Sequence, residues 1–243
     1  MVLLRLYIED RFSMKINFLG CLNIKGAEMR RLINVFIYFL PAVAILLHGC
    51  TYQGPVKEII TDRRISRADT DMEGSNYDDA ITNYTKALKI NPRNAIAYNN
   101  RGLAWGKKGD YDNAIADFSK AVKINPQYTD AYNNRGIAYY EKRKYDSAIA
   151  DFTTAVEINP QYADAYKNRG IAYYDKGDYD SAIRNYNKAV EINPQYADAY
   201  TNRGIAYYEK KDYDRTCSDF QKSCELGNCK GLNWARKEGI CKQ

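Results

Sequence analysis

Four cysteines in the last 27 residues are the densest set of reactive side chains in this chain: Cys217, Cys224, Cys229 and Cys241. Thiols grouped in this way form either disulfides or a metal site. Their spacings of seven, five and twelve positions lack the short Cys-x-x-Cys pairs of common zinc modules. Disulfides are therefore favoured over a metal site, and free buried thiols are the third alternative.

Three pairings of the four cysteines are possible. Cys217 and Cys224 lie on one predicted helix, where seven positions separate them by about 10 Å along the axis, which is too far for a bridge. If the last helix folds back antiparallel on the one before it, the cysteines pair in nested order, as Cys217–Cys241 and Cys224–Cys229. Such bridges persist in an oxidising compartment, so this prediction goes together with export.

Groups that could catalyse a reaction are few. The single histidine, His48, lies in a predicted leader, so the processed chain would lack the commonest general base and nitrogen ligand. Close acid pairs recur where they suit helix starts, at Asp110 and Asp112, Asp178 and Asp180, and Asp212 and Asp214. No glycine-rich phosphate loop is present. We therefore predict a protein that is not an enzyme and has no cofactor, metal or small-molecule substrate.

A 34-residue repeat must position these residues. Its segments are marked by Asn91-Pro92, Asn125-Pro126, Asn159-Pro160 and Asn193-Pro194. Each regular segment opens with Ala-Tyr-x-Asn-Arg-Gly, passes a turn, and ends in a half with small and aromatic residues such as Ala114, Phe118 and Ala121. Small residues let two helices approach closely, and each proline ends a helix because its ring clashes with the preceding turn. Each segment is thus predicted to be one helical hairpin.

This pattern resembles the tetratricopeptide (TPR) repeat. The resemblance implies an all-α fold, a right-handed TPR solenoid of about five helical hairpins plus a C-terminal capping helix. The units are expected at residues 61–94, 95–128, 129–162, 163–196 and 197–230, and the capping helix at residues 231–243. In the last unit Thr216, Ser223 and Asn228 replace the expected Ala, Ala and Pro, as suits the end of a stack.

The resemblance also implies a binding surface, because in TPR arrays the first helices line a concave side where extended peptides or a helix bind. One asparagine per unit stands at a position that commonly faces this groove: Asn100, Asn134, Asn168 and Asn202. A side-chain amide both donates and accepts, so this column could satisfy a peptide backbone. A helix-surface role without peptide contact is the alternative.

Two further rows would flank the asparagines. Tyr140, Tyr174 and Tyr208 would supply aromatic anchors with polar tips. For the second row, Ile137, Ile171 and Ile205, packing against the next unit is favoured over binding.

A column of arginines replaces the usual Leu of the repeat at Arg101, Arg135, Arg169 and Arg203. Three of the four units have an acid near the matching position of the second helix, namely Asp117, Asp151 and Asp219, and the remaining unit has Asn185. We interpret these as ion pairs within or between units, with a structural role.

Residues 1–50 are predicted to be a leader. Arg30 and Arg31 precede an apolar run at residues 32–47, which is typical of a secretory signal peptide. The run is shorter than the roughly 20 residues of a membrane span, and Pro41 interrupts it. We hypothesise that translation starts at Met29, or that residues 1–28 add nothing to the mature protein.

The end of the leader, Leu47-His48-Gly49-Cys50, resembles the bacterial lipobox. This resemblance implies a lipid on Cys50, a mature chain that starts there, and a tether at residues 51–60. Because Thr51 and not Asp follows the cysteine, the outer membrane is favoured over the inner one, on the periplasmic side of the cell envelope.

The charge balance bears on the partners. The net charge is +6 overall and +3 for residues 51–243, with both signs mixed along the chain. No basic stripe of the kind that neutralises phosphates is present, so nucleic acid is not expected. We predict a non-catalytic scaffold of the bacterial cell envelope that binds proteins or peptides. The alternatives are a cytosolic TPR adaptor and an accessory subunit of an envelope enzyme complex.

Overall fold

The structure, a computed structural model, describes the backbone of residues 53–242 and the side chains of residues 58–242. Within this range the chain is all-helical, with eleven α-helices and no strand. The predicted leader, the proposed lipid on Cys50 and the first two residues of the predicted tether lie outside the described residues. No helix in the described range is both long and apolar enough to cross a membrane.

The helices alternate with short turns and form five hairpins followed by a single helix. Their bounds are α1 (Gln53–Glu73) and α2 (Tyr77–Ile90), α3 (Ala95–Lys107) and α4 (Tyr111–Ile124), α5 (Thr129–Glu141) and α6 (Tyr145–Ile158), α7 (Ala163–Asp175) and α8 (Tyr179–Ile192), α9 (Ala197–Glu209) and α10 (Tyr213–Glu225), and α11 (Lys230–Lys237). This is the all-α solenoid that the repeat predicts.

Each of the four hairpins from α3 to α10 closes where a glycine of the first helix meets an aromatic ring of the second. A Cβ atom added to Gly136 would lie 2.7 Å from the ring of Phe152, which is 1% exposed. The same contact recurs between Gly102 and Phe118, Gly170 and Tyr186, and Gly204 and Phe220. The repeated glycine is therefore required by the close approach of two helices.

We expect Gly136→Ala to destabilise the protein. Overpacking costs about 1–3 kcal/mol, and the better helix propensity of alanine offsets up to about 1 kcal/mol of it. The matched control is Gly106→Ala, because nothing lies within 4 Å of a Cβ at Gly106, and there the stability should stay equal or rise. Urea unfolding followed by circular dichroism measures both. A stabilising Gly136→Ala would contradict the packing described.

Neighbouring hairpins stack, with the second helix of one unit packed against the first helix of the next. Successive first helices, from α3 to α9, also touch one another, whereas successive second helices make fewer contacts. The array therefore curves with its first helices on the inside. We call the exposed side of α3, α5, α7 and α9 the inner face.

Two boundaries differ from the sequence prediction. Residues 53–60, predicted to be a tether, belong to α1, since the segment after Pro55 contains no glycine or proline and a proline is tolerated in a first helical turn. The capping helix ends at Lys237 and not at residue 243. Gly239, with a φ of 71°, then turns the chain so that Cys241 is buried.

The polar residues of the last unit are satisfied locally. Thr216 is fully buried and donates to the carbonyl oxygens of Asp212, at 2.9 Å, and Gly204, at 3.2 Å. Ser223 lies 2.9 Å from the carbonyl oxygen of Ala197, to which it donates. Each hydroxyl thus occupies an alanine position at little cost, because its hydrogen bond is made to backbone that lies beside it.

Candidate functional site

The arginine column fixes the first helices that carry the inner face. Arg135 is held by both carboxylate oxygens of Asp151, at 2.8 Å from Nε and 2.7 Å from Nη2. The same two-pronged pair joins Arg101 to Asp117 and Arg203 to Asp219. These pairs lie within units, and the predicted ion pairs are confirmed.

The remaining arginine nitrogen reaches the preceding unit. Nη1 of Arg135 donates to Ser119 at 3.1 Å, and the equivalent contacts are Arg101 to Thr85, Arg169 to Thr153 and Arg203 to Asn187. Each guanidinium also lies over a tyrosine ring one turn earlier, for Arg135 at 5.5 Å from the centre of Tyr132. The column therefore ties each unit to the one before it.

The unit with asparagine in place of the acid keeps the geometry without the charge. Arg169 donates from Nε to the side-chain oxygen of Asn185 at 2.7 Å, and the Asn185 amide donates to the carbonyl of Ser181 at 2.8 Å. Burial lowers the pKa of Arg169. In contrast, the hydrogen bond to Asp151 raises the pKa of Arg135.

The predicted asparagine column makes hydrogen bonds between units. The amide of Asn134 donates to Asn99, and that of Asn168 donates to Asn133, both at 3.0 Å. Asn100 lies in the first regular unit and donates to Asp69 at 3.2 Å. In these three residues one of the two amide N–H groups is thus already used.

Asn202 differs from the rest of the column. Its unit follows one in which Lys167 stands at the position of Asn99 and Asn133, so the acceptor of the inter-unit bond is missing. Among the described residues no hydrogen bond of the Asn202 side chain is found. Its amide is therefore the one member of the column with both donor and acceptor free for a partner.

The predicted tyrosine row also links units. Tyr140 donates to Asp175, and Tyr174 donates to Glu209 at 3.2 Å. Burial, followed by the carboxylate, raises the pKa of Tyr174 to about 12 and that of Tyr140 further. Both hydroxyls therefore stay protonated at all physiological pH values and keep donating.

Tyr208 has no following repeat and packs on the capping helix instead. Its ring meets that of Trp234 edge to face, with the centres 5.1 Å apart. An apolar cleft of about 430 Å³ opens here between α9 and α11. Its walls include Ile205, Tyr208, Phe220 and Trp234, and its rim includes Glu209 and Lys230.

The isoleucine row is divided between packing and exposure. Ile171 packs on the cluster around Ile183 and Tyr186, and Ile205 packs on the cluster around Phe220, as favoured for this row. Ile137, however, is 38% exposed on the inner face. Ile96, at the edge of the same face, is 56% exposed.

The inner face also carries acids that the sequence analysis did not single out. Six carboxylates stand at the second and thirteenth positions of three units, which lie on the same side of a helix as the asparagine and tyrosine rows. We call them the acidic rows: Asp130, Asp164 and Asp198, and Glu141, Asp175 and Glu209. Their 34-residue spacing is visible in the sequence, whereas their shared side of the helix is shown by the structure.

The terminal cysteines are paired in nested order in the structure. Cys217 is bonded to Cys241, with 5.5 Å between the Cα atoms, and Cys224 to Cys229, with 3.9 Å. The first bond ties α10 to the tail after α11, and the second spans the turn between the two helices. Within residues 53–242 no group of three or more His, Cys, Asp or Glu residues is arranged to hold a metal.

The repeats of this chain match known families of helical repeats. Sequence models described as TPR repeat match residues 68–109, 106–143 and 170–211, and models described as tetratricopeptide repeat match residues 129–162, 152–184 and 197–226. The chain belongs to the tetratricopeptide repeat family. The predicted TPR solenoid is thereby confirmed.

Solved TPR structures are similar to this one. The crystal structure of MamA is 31% identical, with a TM-score of 0.62 over 65% of this chain and 93% of that one. YrrB, described as a TPR protein with an unusual peptide-binding site, is 23% identical, with a TM-score of 0.60 over 72% and 90% of the two chains. PilF of Pseudomonas aeruginosa is 18% identical, with a TM-score of 0.67 over 76% and 86%. The last two similarities concern the fold alone.

Proposed function

We propose that this TPR protein is a non-catalytic protein–protein interaction scaffold of the bacterial cell envelope, which binds peptide or protein partners on its inner face. The observation that carries this proposal is the open apolar and aromatic surface of the first helices, where Ile137 is 38% exposed and a cleft opens beside Trp234. Exposed apolar groups rimmed by polar ones are typical of protein-binding surfaces.

The envelope location is supported by the leader. We propose that Cys50 carries a lipid which anchors the chain on the periplasmic side, at the outer membrane in preference to the inner one. Radioactive palmitate should label the wild type but not Cys50→Ala, and globomycin should shift its mobility. An unlabelled, unprocessed chain would favour the alternative of a cytosolic TPR adaptor, and turnover of an envelope polymer by the pure protein would favour a role in an enzyme complex.

The asparagine column offers a test of the inner face in which binding and stability are separated. Asn202→Ala should leave the free energy of unfolding unchanged, because the Asn202 side chain makes no hydrogen bond to a described residue. Asn168→Ala should lower it by about 1 kcal/mol, since the bond to Asn133 is lost. Both variants should recover less of the partners from envelope extract than the wild type does.

The informative variant is Asn202→Ala, because its fold is not perturbed. If this variant recovers every partner as well as the wild type does, the asparagine column is not part of the binding surface. The proposal would then rest on the tyrosine row and the cleft alone, and Tyr140→Phe, which keeps the ring, would test the hydroxyl in the same assay.

A further inference from the structure

Several carboxylates of the acidic rows accept hydrogen bonds from neutral groups. Asp175 accepts from the hydroxyl of Tyr140, and Glu209 from that of Tyr174. Asp198 accepts from the amide of Asn228 at 3.2 Å. Such donors orient a carboxylate without cancelling its charge.

Basic residues are few on this surface, where Lys107 stands at the thirteenth position of α3 and Lys230 of α11 lines the cleft. The one basic residue among the inner-face positions of α5, α7 and α9 is Lys167, 3.8 Å from Asp164. The lysines that begin the turns between helices pair instead with acids at the starts of the second helices, as Lys142 does with Asp112 and Lys176 with Asp146. On α5, α7 and α9, six carboxylates and one ammonium group leave a formal charge of −5, and Lys107 at the thirteenth position of α3 brings the whole inner face to −4, in a chain whose net charge is +6.

The apolar part of the same surface ends in a defined cleft. Of the residues lining the roughly 430 Å³ space between α9 and α11, Ile205 and Tyr208 belong to the inner face and Trp234 forms the far wall. Trp234 is 42% exposed. The cleft thus has the walls of a pocket for one aliphatic or aromatic side chain, at the end of the acidic rows.

We propose that the partner is an extended basic segment whose lysines or arginines lie along the acidic rows and whose apolar side chain enters the α9–α11 cleft. This inference rests on the proposed function and specifies its partner. Packed helices lie about 10 Å apart, and an extended chain advances about 3.3 Å per residue. A basic residue at about every third position therefore matches the spacing of the units. Charge complementarity of this kind selects partners and speeds association.

The fluorescence emission of Trp234 reports whether the cleft is occupied. The chain has only Trp105 and Trp234, so Trp105→Phe leaves Trp234 as the sole emitter. Three twelve-residue peptides, four repeats each of Lys-Leu-Ser, Gln-Leu-Ser and Glu-Leu-Ser, are titrated at low salt. The Lys peptide should change the Trp234 emission and bind at least about tenfold more tightly than the Gln peptide, with affinity falling as salt is added. The Glu peptide should not bind.

Two matched triple variants test the role of the acidic rows. Glu141→Gln/Asp175→Asn/Glu209→Gln keeps acceptors for the tyrosine hydroxyls and should weaken binding of the Lys peptide about tenfold. The control variant changes the charge equally on the exposed side of the second helices, at Glu157→Gln/Glu191→Gln/Glu225→Gln. It should leave the affinity unchanged.

The outcomes separate this inference from the proposed function. Equal binding of the Lys and Gln peptides, or equal losses in the two triple variants, overturns the basic segment but leaves the inner face as a binding surface. The basic segment is also overturned if the Glu peptide binds more tightly than the Lys peptide or if the Lys peptide does not bind. A cleft closed by a second copy of the chain overturns it too. The proposed function fails separately, if inner-face variants lose none of their envelope partners.

Discussion

Replacing Asp151 with alanine is expected to lower the free energy of unfolding by about 3–5 kcal/mol, because it leaves a buried guanidinium without its counter-charge. The side chains of Arg135 and Asp151 are only 18% and 9% exposed. Arg135 cannot release its proton at any accessible pH, so it has to remain charged in the core of the unit. Its contact with Ser119 would also lose the group that orients it.

The chain contains the control for this substitution. Asp151→Asn should cost only about 1 kcal/mol, since the side-chain oxygen of Asn185 accepts from Arg169 at 2.7 Å in the neighbouring unit. Urea unfolding measures the free energy of unfolding of both variants, which can be compared if the slope m of that free energy against urea concentration is the same. Equal losses for alanine and asparagine would mean that the guanidinium needs the charge of Asp151 and not merely an acceptor, and the neutral Arg169–Asn185 contact would not be its equivalent.

Removing the Cys217–Cys241 bridge is expected to destabilise the last unit by about 3 kcal/mol, because the bond closes a loop of 24 residues and restricts the unfolded chain. The Cys224–Cys229 bond closes a separation of only 5. Its removal should cost less, about 2 kcal/mol by the same estimate. In a stack the effect should stay local, since each unit contacts only its neighbours.

The two bridges are compared through Cys217→Ser/Cys241→Ser and Cys224→Ser/Cys229→Ser. Emission of Trp234 on α11, in the Trp105→Phe background, follows unfolding of the C-terminal end, and circular dichroism follows the whole array. Peptide mapping without reduction should find both nested pairs in exported protein. Four alkylatable thiols, or a different connectivity, would rule out this pairing and the stability order with it.

The 34-residue period predicted the hairpins well, because the repeated residues are those at which the two helices of a hairpin contact each other. Gly136 and Phe152 are separated by 16 positions in the sequence and meet at one point in the fold. The first helix of the first unit is different. Its sequence has lost the repeat residues, so the beginning of α1 at Gln53 could not be predicted from the motif.

The binding surface was predicted less completely, because its polar contacts join residues of different units. Asn134 donates to Asn99, 35 positions away, and a repeat pattern read one unit at a time does not reveal such a bond. The acidic rows can also be found in the sequence as a 34-residue spacing of acids. The structure shows in addition that Glu141, Asp175 and Glu209 lie on one exposed side of neighbouring helices.

Site-directed photocrosslinking in envelope extract tests most directly whether the inner face is the binding surface of this TPR protein. A photoreactive phenylalanine analogue at Ile137 on the inner face is compared with one at Glu157, an exposed position on a second helix. We expect crosslinks to a discrete partner from Ile137, which the Lys-Leu-Ser peptide should suppress, and none from Glu157. Crosslinks from Glu157 alone would contradict this expectation.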